Sequence, residues 1–147
     1  MHYGEIKDCD IANGIGVRIS LFVSGCTHRC KNCFNEVAWD FSYGEPFGAD
    51  VQEKIIKGLD SGYIAGLSLL GGEPLEPQNQ VALYPFVKRV RETYPAKSIW
   101  CYTGFLLDEK SGVLQEKHTR LNIFSYMKRW WYAGLFSEDL SVCFFRF

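Results

Sequence analysis

A surplus of charge of either sign is missing from this 147-residue chain, in which 16 Lys and Arg stand against 17 Asp and Glu for a net charge of −1. No basic surplus therefore draws the chain towards nucleic acid or an anionic membrane; specific local patches are left open, but neither is expected as a partner. Long hydrophobic runs are missing too: no stretch approaches the ~20 apolar residues of a membrane span. The first ten residues carry Glu5, Asp8 and Asp10 where a signal peptide would have its apolar segment. A cytoplasmic chain is expected, and there disulfides are disfavoured, which removes a disulfide framework as the main use of the six cysteines. A glycine is lacking where Gly14-Ile15-Gly16 would need one to become a dinucleotide fingerprint, because position 19 is Ile and no strand is expected before it. A plain turn is expected there. The length suits one domain spanning residues 1–147 and is too short for a full eight-unit barrel.

What is present centres on Cys26-Thr27-His28-Arg29-Cys30-Lys31-Asn32-Cys33, which places three thiols within one short loop. Thiolates are the soft ligands of zinc and of iron–sulfur clusters. A structural zinc site closes with four ligands and ordinary iron–sulfur carriers use four cysteines, whereas this loop offers three and no second cysteine pair follows. Two readings remain open at this point. One is a cluster with an iron left free for a substrate; the other is a metal staple completed by His28 or Cys9. Cys101 and Cys143 are expected to be packing residues.

The surrounding pattern alternates strands and helices. Val17, Ile19, Leu21 and Val23 alternate with polar or outward positions and predict a strand that delivers the cysteine loop, with Gly25 allowing a sharp turn and room for a bulky centre. Trp39, Phe41, Tyr43 and Phe47 follow in a loop-like stretch, either as a shield for the metal or as core aromatics. A helix is predicted from Asp50, with Asp50 and Glu53 spaced as a capping box and Ser61-Gly62 ending it. Tyr63 to Leu70 is an apolar run fit for a parallel strand covered on both faces, and Gly71-Gly72-Glu73-Pro74 follows it. A second helix is predicted over residues 84–94, with Pro85 in its first turn or, if the helix begins nearer Gln80, as an interior kink, and a third strand over residues 98–102, ending at Thr103-Gly104. Parallel sheets bind ligands beyond the carboxyl ends of their strands, where all three motifs fall.

Three such motifs on one rim resemble the radical S-adenosylmethionine enzymes, with CxxxCxxC at Cys26, Cys30 and Cys33 and a Gly-Gly-Glu turn at Gly71, Gly72 and Glu73. Within them, residues 10–14 (Asp-Ile-Ala-Asn-Gly), 22–26 (Phe-Val-Ser-Gly-Cys), 33–35 (Cys-Phe-Asn) and 99–104 (Ile-Trp-Cys-Tyr-Thr-Gly) look like the activating proteins of anaerobic ribonucleotide reductases. The likeness covers about residues 8–109. It implies an α/β fold, a partial, open (β/α) barrel with a mostly parallel sheet. It also implies a four-iron four-sulfur cluster on Cys26, Cys30 and Cys33, with S-adenosylmethionine contacted by Asn32, Cys33, Phe34, Gly71, Gly72, Glu73 and Thr103. A side chain at 72 would then occupy space needed by the methionine part of the cofactor, and cofactor binding should fail without loss of the cluster. The implied reaction is reductive cleavage to a 5′-deoxyadenosyl radical that takes a hydrogen from a glycine of the large reductase subunit, with flavodoxin or ferredoxin as electron donor. Alternatives are another small radical enzyme, a non-catalytic iron–sulfur electron carrier and a zinc-stapled binding module. Residues 111–147 depart from the pattern. Residues 123–147 hold 9 aromatics in 25, and a diverged tail, a frame-shifted or truncated tail, or a docking surface would each account for such a segment.

Overall fold

The computed structural model describes residues 1–108 and 113–115. Strands β1 (His2–Asp10) and β2 (Val17–Val23) lead to a 3₁₀ turn at Glu36–Trp39 and the two-residue β3 (Glu45–Pro46). Helix α1 (Ala49–Leu59), β4 (Ile64–Gly71), helix α2 (Pro77–Thr93) and β5 (Ser98–Cys101) follow, then β6 (Leu106–Asp108) and β7 (Val113–Gln115) as a separate antiparallel hairpin. The main sheet has five strands in the order β3-β1-β2-β4-β5. β2, β4 and β5 run parallel, while β1 is antiparallel to β2 and β3 antiparallel to β1.

This corrects the expected barrel. The sheet is open and mixed, with as many antiparallel as parallel pairings. Connection length decides the difference. A parallel neighbour needs a crossover of a dozen or more residues, which α1 supplies between β2 and β4 and α2 between β4 and β5. Only residues 11–16 join β1 to β2, so β1 must fold back antiparallel. It was not expected as a strand at all, because Gly4, Glu5, Lys7, Asp8 and Cys9 are exposed and hide any apolar alternation.

Both helices pack on one face of the parallel strands. Ile19, Leu67 and Ile99 lie in register across β2, β4 and β5, as do Leu21, Leu69 and Cys101. All six are in the core with Ile55 and Leu59 of α1 and Leu83, Phe86, Val87 and Val90 of α2. Strand order advancing in one direction with right-handed crossovers puts both helices on the same side. Each fully buried Leu or Ile contributes roughly 1.5–3 kcal/mol, and the shared register brings the three strand ends to the same edge of the sheet. Cys101 packs in it as expected; Cys143 lies outside the described residues.

The opposite face carries Arg18, Ser20, Ser68, Ser98 and Trp100. Arg18 is completely buried. Its guanidinium donates to Ser68 Oγ at 2.7 Å, Leu67 O at 2.7 Å, Ser98 Oγ at 2.8 Å and Ser98 O at 3.0 Å, and lies 5.3 Å from the Trp100 ring. Burial lowers its pKa, and the carbonyl and hydroxyl oxygens take the place of water around the cation.

Both helix starts differ from expectation. Gly48 is the N-cap of α1, Asp50 falls inside the first turn, and Glu53 accepts from Arg89 at 2.8 Å instead of closing a capping box. Asp50 still sits where a carboxylate favours the helix dipole. α2 begins at Pro77, seven residues before Tyr84 and nearer the alternative start at Gln80, with Pro77 at the first helical position. Pro85 is thus interior and cannot bond to the carbonyl of Val81. Val81 is 62% exposed, so water is within reach of that turn. Among the described residues, no helix is long and apolar enough to cross a membrane.

Candidate functional site

The ends of β2, β4 and β5 meet at one rim. Glu73 N donates to Gly25 O at 2.9 Å and Gly72 N to Val23 O at 2.8 Å, which ties the Gly-Gly-Glu turn to the start of the cysteine loop. Gly25 N donates to Ala38 O at 2.8 Å and Cys26 N to Trp39 O at 3.2 Å, fixing the loop's other flank. Gly25 has φ +97°, and a Cβ there would run into the Phe41 ring. The room that its missing side chain leaves is taken by an aromatic ring. Gly71 has φ +110°. Gly72 serves close approach, since a Cβ would lie 2.6 Å from Gly25 O and 2.9 Å from Ala38 O.

Cys26 and Cys33 are half-buried, Cys30 is exposed, and all three are free thiols. Cys33 N donates to Cys30 O at 3.2 Å, closing a turn between them. Arg29 and Asn32 have φ 44° and 63°, so each of the last two cysteines follows a left-handed residue. Asn tolerates this conformation better than other non-glycine residues. An aromatic at 32 would be strained there, a physical reason for the small polar residue. Replacing Asn32 with Gly should therefore leave stability within a few tenths of a kcal/mol or raise it slightly, whereas Asn32→Val should cost about 1–2 kcal/mol in chemical denaturation. Equal stability of the two variants would contradict the strain argument.

Burial pushes the Cys26 thiol up to about 11; Glu73 acts in the same direction, and hydrogen bonds from the His28 and Arg29 backbone oppose them. A metal must displace that proton to bind. Three thiols with no zinc-like fourth partner among the described residues suit the soft ligand set of an iron–sulfur cluster. Among the described residues, no three His, Cys, Asp or Glu side chains converge as on a single metal ion. Cluster cysteines each take a different iron, so a cluster needs no such convergence. The two further fourth-ligand candidates are placed elsewhere. Cys9 lies beside the start of β2, about 20 Å from the loop at ~3.3 Å per residue of strand, with its thiol 3.8 Å from the Tyr63 hydroxyl. His28 Nε2 is 3.1 Å from Glu73 Oε2, and its ring lies edge-on to Phe105 with centroids 4.5 Å apart.

Glu73 is 1% exposed, and its carboxylate is surrounded. Oε1 accepts from Leu75 N and Thr103 Oγ1, both at 2.8 Å, and Oε2 from Gly104 N at 2.7 Å, besides the His28 contact. Thr103, nearly buried, accepts in turn from Phe105 N at 3.1 Å. Glu73 and Thr103 thus fasten three strand ends together, and neither presents an unpaired polar group outward. Phe34 is 90% exposed and Asn32 is exposed, on the open side of the loop. A cleft of about 740 Å³ opens beside Cys26, lined by Thr27, Arg29, Glu36, Trp39, Phe41 and Tyr43 among others. Trp39, Phe41 and Tyr43 therefore border the loop, while Phe47 joins the core. Sequence reasoning missed Glu76, whose Oε1 accepts from Thr27 N at 2.7 Å and Thr27 Oγ1 at 2.6 Å, and Asn79. A polar residue beside Pro77 carried no signal that it faced the loop.

Residues 12–128 match the family model described as "4Fe-4S single cluster domain". The chain is 44% identical over 120 residues to the anaerobic ribonucleoside-triphosphate reductase-activating protein of Pasteurella multocida, covering 80% of this chain and 76% of that one. It is 47% identical over 111 residues to the protein of that name from Haemophilus influenzae, covering 74% and 72%. This chain belongs to the family of anaerobic ribonucleoside-triphosphate reductase-activating proteins. The member from Escherichia coli K12 is 39% identical over 142 residues, with 95% of this chain and 88% of that one covered. Similarity thus reaches far into residues 111–147, where the expectations of divergence, frame shift or docking lie outside the described residues apart from β7. As a member of this family, the chain is a radical S-adenosylmethionine enzyme with an iron–sulfur cofactor.

Proposed function

We propose that the chain activates an anaerobic ribonucleoside-triphosphate reductase by generating a glycyl radical on its large subunit, with Cys26, Cys30 and Cys33 as ligands of a four-iron four-sulfur cluster. When bound, the cluster supplies the electron that splits S-adenosylmethionine into methionine and a 5′-deoxyadenosyl radical. The observation that carries this reading is the three-thiol loop joined to the Gly-Gly-Glu turn by the 2.9 Å bond from Glu73 N to Gly25 O. Loop and turn then face one ligand from adjacent strand ends.

The chain's own residues do the placing. Gly25, Gly71 and Gly72 let three backbones converge, Glu73 and Thr103 lock them, and Cys26 and Cys33 are half-buried. Backbone at 32–34 and the exposed Phe34 ring form the side from which an adenine could be approached. The open sheet, closed by no barrel among the described residues, leaves the rim accessible to a segment of a large partner. Flavodoxin or ferredoxin is the proposed donor, and the cytoplasm the proposed compartment.

The test is to incubate the iron- and sulfide-loaded chain with reductant, S-adenosylmethionine and the large reductase subunit. A glycyl radical signal by electron paramagnetic resonance is the expected result. Cofactor cleavage with no radical on that subunit would point to a different partner, and a cluster without cleavage to an electron carrier.

A further inference from the structure

The first turn of α2 reaches back to both sides of Cys26. Asn79 is fully buried, and its Nδ2 donates to Glu73 O at 2.9 Å and Ser24 O at 3.0 Å, and more distantly to Gly25 O at 3.5 Å. Three carbonyls around one nitrogen fix the amide's orientation, since only the NH₂ group can donate to them. Glu76, 4% exposed, takes Thr27 N and Thr27 Oγ1 on the single oxygen Oε1. The residues just before and just after Cys26 are therefore held by side chains three positions apart, one turn of one helix. Glu76 is the N-cap residue of α2, yet its side chain makes no capping bond to its own helix. Its carboxylate is spent on the cysteine loop.

We propose that Glu76 and Asn79 are positioning residues that set Cys26 relative to the Gly71–Glu73 turn, and through it the cluster relative to its substrate. The role rests on Cys26 being a cluster ligand. Because Oε1 alone receives both Thr27 donors, an amide oxygen can replace it, so shape rather than charge is required at 76. Glu76→Gln should therefore rescue what Glu76→Ala loses.

The full chain, first metal-free, is treated with a thiol alkylating reagent, and modification at each cysteine is followed by mass spectrometry. In Glu76→Ala, Cys26 should react roughly tenfold faster, the scale on which losing a buried hydrogen bond opens a local segment. Buried Cys101 should keep the parent rate and so report that the core is intact. Asn79→Ala should act in the same direction. After anaerobic loading with iron and sulfide, Glu76→Ala should show a diminished change in the reduced cluster's paramagnetic resonance spectrum on adding S-adenosylmethionine, while Glu76→Gln matches the parent in both assays. Unchanged Cys26 reactivity in Glu76→Ala, equal acceleration at Cys101, or a Gln variant as impaired as the Ala variant would each overturn the tether. A parent chain that takes up no iron would overturn the ligand assignment, and with it the positioning role.

Discussion

Cys30→Ala, loaded anaerobically with iron and sulfide, is expected to hold only background iron and to lack the brown chromophore, and Cys26→Ala and Cys33→Ala should behave alike. With three cysteines in the loop and no fourth within it, each loss leaves two ligands there, too few to retain a cluster. Cys9→Ala should keep full iron content, since Cys9 lies at the other end of β2. Cys101→Ala should also keep its iron, at a stability cost of core packing alone. His28→Ala separates two roles. It should retain the cluster, but removing a donor to the buried Glu73 carboxylate should lower stability by about 1–3 kcal/mol in denaturant unfolding. Full iron content in Cys30→Ala would contradict the three-ligand assignment.

Gly72→Val should damage cluster and cofactor binding together. The resemblance alone predicts that they separate, with the cofactor lost and the cluster kept. The geometry argues otherwise, because a Cβ at 72 would lie 2.6 Å from Gly25 O, one residue before Cys26, and 2.9 Å from Ala38 O. Backbone cannot yield as a flexible side chain does, so the insertion should cost about 1–3 kcal/mol and displace the loop. Iron per chain and calorimetric affinity for S-adenosylmethionine should fall in parallel, with Gly72→Ala intermediate. A Val variant with parent iron content and no cofactor affinity would show that the carbonyls at 25 and 38 can move aside.

The candidate site was legible because its parts are local in sequence. The β2 alternation, the cysteine spacing and the glycine pair after an apolar run each announce themselves within eight residues, and the structure brings all three strand ends to one rim. The parts that were not legible depend on partners distant in sequence. β1 is a charged, mostly exposed strand whose existence is decided by pairing with β2, and the short connection at 11–16 fixes its direction. The first half of α2 lacks an apolar stripe because Asn79 and Gln80 are buried for their hydrogen bonds, and burial of polar side chains leaves no hydrophobic period. The barrel expected from the resemblance failed for the same reason: a motif specifies a ligand loop, whereas strand direction follows from the connections between strands. Glu73 shows the limit within the site itself. Its position beside two glycines was plain, but the four donors around its carboxylate come from residues 28, 75, 103 and 104.

The most direct measurement is the formation of 5′-deoxyadenosine by the full chain after anaerobic loading with iron and sulfide, in the presence of S-adenosylmethionine and a strong reductant. The account predicts 5′-deoxyadenosine and methionine in equal amounts, and none from Cys30→Ala treated identically. A chain carrying its full complement of iron and sulfide that yields no 5′-deoxyadenosine would contradict it.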